Sequence, residues 1–192
     1  MPNTYSQIYI QIVFAVKYRE SVIHPDWEEQ LYKYITGIVE KKGHKLIAVN
    51  GMPDHIHIFI GMRPICSLSE LVREIKKSSS AHINSKKLTN KTFYWQEGFG
   101  AFSYSHSAVR KVYNYVMNQK NHHRDKNFHE EYRQQLRDNE IDFDEKWLFT
   151  PLEWPPHLCD PYGVGLDVIF TFVYKHGIPM ECRMYYAPTQ TP

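Results

Sequence analysis

Cysteine is scarce: Cys66, Cys159 and Cys182 are the three in 192 residues. An odd number without C-x-x-C spacing argues against a disulfide framework or a cysteine-rich zinc site, and fits a reducing cytoplasm. No long uncharged apolar run occurs and the mean hydropathy is −0.53, so no membrane span is expected. Residues 1–7 lack a basic segment leading into an apolar core and do not read as a signal peptide. The G-x-x-x-x-G-K-[ST] phosphate loop is missing, and with it the helicase module of a large replication initiator. There is no internal repeat or low-complexity tract. What remains is 42% hydrophobic and 15% aromatic, enough to exclude a wholly disordered chain and to build one cored domain plus an appendage.

The net charge of +2 hides a division. Residues 63–126 hold twelve Lys or Arg against four Asp or Glu, an excess of eight, so the remainder carries −6. A basic middle of this kind suits a polyanion, because phosphate neutralisation dominates nucleic-acid affinity. Solvated helix faces explain the same charges about equally well.

Apolar residues at Ile8, Ile10, Ile12 and Phe14 recur at period two and predict a strand over 5–16. A helix over 25–42 is opened by Pro25 and acids and closed by Lys41, Lys42 and Gly43, with Trp27, Leu31, Ile35, Ile38 and Val39 inward. A strand over 45–49 precedes Asn50-Gly51, a hairpin turn signal, and then the run Asp54-His55-Ile56-His57-Ile58-Phe59-Ile60. Ser67-Leu68-Ser69-Glu70 is a capping box for a helix burying Leu68, Leu71, Val72 and Ile75. Residues 93–104 read as strand, glycine turn and strand; their aromatics could stack on unpaired bases, although packing is the commoner use. A helix over 107–121 should bury Val109, Val112, Tyr113 and Val116, and a short one over 128–138 offers Tyr132 and Leu136 inward. The proline-rich texture from 150 onward, with seven of eleven prolines in 151–192, marks a boundary: domain 1–149, then an extension 150–192 without an assigned role, in which 166–174 could form a strand. The element order predicts an α+β fold, a ferredoxin-like or RRM-like antiparallel sheet with packed helices.

On a strand, side chains alternate, so His55, His57 and Phe59 share one face. Two imidazoles on a rigid face can bind a divalent cation, yet eleven histidines make one such pair unremarkable. A histidine-triad hydrolase would want a third histidine where Phe59 stands. On the predicted tyrosine helix, Tyr115 and Gln119 stand at i and i+4, side by side, beside Lys111 and His122. A metal at the histidines, with the Gln119 oxygen as third ligand, would polarise a phosphodiester for attack by Tyr115. Lys111 could favour the phenolate.

The chain resembles the single-tyrosine HUH transposases of small bacterial insertion sequences and their domesticated relatives linked to repetitive palindromes. The matching segments are Val13-Phe14 followed by Lys17-Tyr18-Arg19, Met52-Pro53-Asp54-His55-Ile56-His57, Trp95-Gln96-Glu97-Gly98-Phe99-Gly100-Ala101-Phe102-Ser103, and Tyr115-Val116-Met117-Asn118-Gln119 with His122-His123. They span about residues 3–149. The resemblance implies His55, His57 and Gln119 as ligands of Mg²⁺ or Mn²⁺ on a central strand, and Tyr115 as nucleophile on a later helix. It further implies single-stranded DNA cut and rejoined through a 5′-phosphotyrosine, hairpin recognition at element ends, and a homodimer composing its sites in trans. A cytoplasmic bacterial protein, nucleoid-associated during activity, is the matching expectation. Arg73, Lys76, Lys77, Arg110 and Lys111 are the candidate DNA-backbone contacts. The competing readings are a replication-initiator-type HUH nuclease and a noncatalytic hairpin- or RNA-binding module.

Overall fold

The computed structural model describes residues 5–122, 128–145 and 148, with the side chains of 121 and 122 excepted. The expectations for 150–192, including a strand over 166–174, lie outside these residues. Strands β1 (Ile8–Ala15), β2 (Lys45–Met52), β3 (His55–Met62) and β4 (Gly100–Tyr104) form an antiparallel sheet in the order β2-β3-β1-β4. Helices α1 (Pro25–Lys41) and α2 (Leu68–Ser85) connect β1 to β2 and β3 to β4. This is the α+β, ferredoxin-like plan that the element order predicts, with the histidine strand in the sheet interior.

Period two sorts β1 and β3 between the faces. Ile12, Phe14, Ile56, Ile58 and Ile60 pack with Leu31, Ile35 and Val39 of α1 and Leu71, Val72 and Ile75 of α2. Each fully buried aliphatic side chain there contributes about 1.5–3 kcal/mol. The Ser67 hydroxyl accepts from Glu70 N at 3.2 Å, which makes the capping box real. Helix α1 stops where Gly43, at φ 81, takes a conformation that side chains resist, letting His44 N reach Val39 O at 3.1 Å and Gly43 N reach Glu40 O at 2.8 Å.

The second face is covered by different helices. Val112 and Val116 of α3 (Val109–Met117) pack on Ala48 and Phe59, while Phe128, Tyr132 and Leu136 of α5 (Phe128–Asp138) pack on Val13, Ala15 and Phe102. Between them lies the short α4 (Gln119–His122).

Four expectations need correction. The hairpin turns at Pro53-Asp54, because β2 runs on through Asn50 and Gly51, which pair with His57 and Ile56. Asn50 instead uses its amide to cap the Met117 carbonyl at 2.9 Å. That captured carbonyl, followed by Asn118 at φ −97 and ψ 16, divides the single helix expected over 107–121. Tyr113 is 37% exposed rather than buried, since the stripe that meets Ala48 and Phe59 is Val109, Val112 and Val116. Residues 93–96 supply only an isolated bridge between Trp95 and Val16 rather than a strand.

Gly51 is required by space. A Cβ there would lie 2.3 Å from His55 O and 2.8 Å from Ile56 Cα, both backbone atoms that no rotamer change can move aside. Gly51→Ala is expected to cost about 1–3 kcal/mol of stability, as overpacking does. An unchanged urea midpoint would show that the hairpin relaxes freely.

Candidate metal and nucleophile site

The histidine face of β3 meets the two covering helices at a small polar cluster within an otherwise apolar layer. His55, His57 and Glu131 are all buried, and one ligand atom from each lies within 4.8 Å of the others. His57 Nε2 is 3.9 Å from Glu131 Oε1. Gln119 is fully buried and donates from Nε2 to Glu131 Oε1 at 3.1 Å. The half-buried Tyr115 donates its hydroxyl to the same Glu131 oxygen and accepts from Gln135 Nε2 at 2.6 Å. Tyr115 and Gln119 therefore meet at one carboxylate from opposite sides of the Asn118 break.

The histidines are held from behind. Asp54 Oδ1 lies 2.7 Å from His55 Nδ1, and a carboxylate can only accept, so Nδ1 carries the proton and Nε2 presents a lone pair. Burial opposes the Asp54 charge, but the His55 hydrogen bond and the Arg19 guanidinium outweigh it and hold this carboxyl far below the ordinary carboxylate range. Burial likewise lowers His55, against the raising influence of Asp54, favouring the neutral ligand form. Arg19 also lies over the Phe128 ring, 4.3 Å from its centroid, while His55 packs on that ring at 4.1 Å. Behind His57, the Gln11 amide is 3.0 Å from Nδ1 and 3.0 Å from the Tyr104 hydroxyl. Because a hydroxyl serves either end of an amide, Gln11 can turn its oxygen to Nδ1–H and leave Nε2 for a ligand.

These residues fit a divalent cation. Two imidazoles and a carboxylate are a common donor set, and the Gln119 Oε1 atom is buried without a hydrogen-bond partner among the described residues. Glu131 is a group that sequence reading misses. Burial pushes its carboxyl up to about 8, with Arg19 lowering and Asp54 raising it. The available signal was an acid three residues after Phe128 and next to Tyr132, on the stripe that α5 buries.

The remaining predicted residues are dispersed. Lys111 is exposed one turn before Tyr115. Arg73 and Lys77 are exposed on α2, and Arg110 on α3; α2 and α3 cover opposite faces of the sheet, so the five basic residues do not form one patch. Lys76 is half-buried and donates to Gln96 O at 2.8 Å and to Gly98 O, tying down the loop before β4. Burial lowers its amine to about 8, with Glu97 opposing. The side chains of His122 and His123 lie outside the described residues. Tyr115 approaches His57 of its own chain, with ring centroids 5.9 Å apart.

Comparison with known proteins gives this geometry a family. The ISDra2 transposase TnpA of Deinococcus radiodurans is 26% identical over 74 residues, 38% of this chain and 53% of that relative. The chain thus spans about half the length of the curated relative it matches. A solved Deinococcus radiodurans protein assigned as a transposase superposes with a TM-score of 0.51 at 19% identity, covering 62% of this chain and 95% of that one, which shows the shared fold. A REP-associated tyrosine transposase bound to a REP hairpin gives 0.47 at 17% identity, covering 62% and 70%. Residues 4–119 match the family model described as transposase, IS200 like. That match takes in β1 through Gln119, more than half of the sequence, and on it the chain belongs to the IS200-like transposase family.

Proposed function

We propose that this chain is a metal-dependent transposase that cleaves and rejoins single-stranded DNA through Tyr115. The observation that supports this most directly is the Tyr115 hydroxyl donating to Glu131 inside the His55-His57 cluster. Tyr115 is the nucleophile, and its oxygen attacks a backbone phosphorus as the bond to the 3′ oxygen breaks. The Glu131 hydrogen bond orients the phenol, the phenolic proton leaves to solvent as the new bond forms, and the departing 3′ oxygen takes a proton from solvent. The 5′-phosphotyrosine conserves the phosphodiester, so attack by a 3′-OH rejoins a strand and returns Tyr115. Mg²⁺ or Mn²⁺ held by His55, His57 and Glu131, with Gln119 as a further oxygen donor, would polarise the phosphodiester.

Asp54 and Arg19 keep the His55 ring oriented, and Gln11 does so for His57. Gln135 fixes the phenol from its other side. The substrate in this reading is single-stranded DNA carrying hairpins at element ends. The catalytic unit lies within 1–149, and a homodimer is its expected assembly. An RRM-like binding module is the weaker reading: such modules expose one sheet face to bases, whereas α3 and α5 cover this one, and Phe93, Trp95 and Phe102 are core residues.

The test is a denaturing gel with 5′- and 3′-labelled hairpin-bearing single strands, Mn²⁺ or chelator. The expected result is a protein-linked 5′ phosphate and a free 3′-OH fragment in Mn²⁺ alone. Cleavage that persists in chelator, or fragments with no protein adduct, would exclude this mechanism.

A further inference from the structure

The Lys17-Tyr18-Arg19 turn after β1 carries two consecutive non-glycine residues in the left-handed region, Tyr18 at φ 58 and Arg19 at φ 57. Side chains resist this conformation, and it persists where the surroundings hold it. Four hydrogen bonds do so: Arg19 N to Val16 O at 2.9 Å, Tyr18 N to Gln96 Oε1 at 3.2 Å, Lys17 N to Tyr94 O at 2.9 Å, and Gln96 N to Ala15 O at 2.9 Å. The turn has two products. It sends Arg19 inward to Asp54, behind His55, and it sends Tyr18 outward, where the residue is 50% exposed.

Tyr94, on the adjoining segment, is 56% exposed between two buried aromatics, Phe93 and Trp95. Lys17 Nζ lies 5.1 Å from the Tyr18 ring centroid and 5.6 Å from that of Tyr94. Two exposed rings thus flank one ammonium at the end of β1 where Ala15 pairs with His55 and Val16 N bonds Asp54 O at 2.7 Å. The core gains little from rings so exposed, and the cation between them suits a phosphate.

We propose that Tyr18 and Tyr94, with Lys17 between them, form a stacking platform for unpaired nucleobases of a DNA strand entering the site. Base stacking on aromatic rings tolerates any sequence because every base has a π-face, and a nearby ammonium holds the backbone. Duplex DNA hides those faces within its own stack, so the platform selects single strands. The proposal rests on the single-strand reading above, and it adds a subsite outside the reacting cluster.

The test measures fluorescence anisotropy of labelled single-stranded and duplex oligonucleotides with the full chain in chelator, which separates binding from cleavage. Tyr94→Ala is expected to weaken single-strand binding about tenfold, Tyr94→Phe to stay within about twofold of wild type, and duplex affinity to be unchanged. An abasic substitution at the contacted nucleotide should weaken wild-type binding and add little to Tyr94→Ala. Tyr18→Ala should behave alike, and because Tyr94 is not among the residues at positive φ, Tyr94→Ala decides the matter if the Tyr18 variant misfolds. Unchanged single-strand affinity in Tyr94→Ala, equal loss on duplex DNA, or a Phe variant as weak as the Ala one would overturn the platform. If the rings prove necessary for binding but no DNA yields a Tyr115 adduct, the catalytic reading fails and the platform stands. An adduct with dispensable rings sinks the platform alone.

Discussion

Phenylalanine at position 115 is expected to abolish the covalent DNA adduct and to lower strand cleavage by at least about a thousandfold, since it removes the attacking oxygen itself. The substitution keeps the ring against His57 but deletes the hydroxyl that donates to Glu131 and accepts from Gln135. Losing those two bonds should cost about 1–3 kcal/mol of stability, so a circular-dichroism melt must accompany the assay to show a folded variant. Tyr113 cannot substitute. It is 37% exposed beside Ile47, His106 and Arg110, whereas Tyr115 bonds Glu131. Tyr113→Phe should therefore cleave at the wild-type rate, and a covalent adduct of full yield in Tyr115→Phe would move the nucleophile elsewhere.

The period-two run of β3 puts His55, His57 and Phe59 on one face, because strand alternation is local geometry that tertiary packing rarely reverses. The same holds for the Ser67–Glu70 capping box and for the α5 stripe of Tyr132 and Leu136, which the fold buries. Local signals failed where a distant partner competes for the backbone. Asn50-Gly51 has turn chemistry, but Asn50 caps Met117, 67 residues away, and the turn passes to Pro53-Asp54. The Asn118 break has the same cause, which is why i,i+4 spacing alone did not describe how Tyr115 and Gln119 come together. Glu131 was invisible because acids on short polar helices are ordinarily solvated; only the approach of α5 to β3 and α3 makes this one a buried partner of Tyr115, Gln119 and His57. Lys76 inverts that lesson. Its charge suggested a phosphate contact, while the fold spends the ammonium on two backbone carbonyls.

Glu131→Gln should push stability and metal binding in opposite directions. In the metal-free protein, burial raises this carboxyl from its ordinary value of 4.5 to about 8. A raised folded-state value means that the stabilising contribution is complete below pH 4.5 and is lost as pH rises to about 8, because the unfolded chain ionises first. The loss is at most about 5 kcal/mol. Glutamine cannot ionise, so the variant in chelator should melt at nearly the same temperature as wild type at pH 5 and well above it at pH 8. Metal binding reverses the ranking. A cation needs the carboxylate ionised, so wild-type Mn²⁺ affinity should rise about tenfold per pH unit from 6 to 7 and flatten above 8. Titration of His55 does not produce this slope, since burial holds that ring below its ordinary value and already neutral. The glutamine variant should bind Mn²⁺ at least tenfold more weakly at pH 8, without this proton-linked slope. Calorimetric titration at three pH values, with thermal melts in chelator, reads both effects. Parallel melting curves for the two proteins across pH 5–8 would mean that Glu131 stays ionised in the fold. Equal Mn²⁺ affinities would remove it from the ligand set and leave the Gln119 oxygen as the third donor beside His55 and His57.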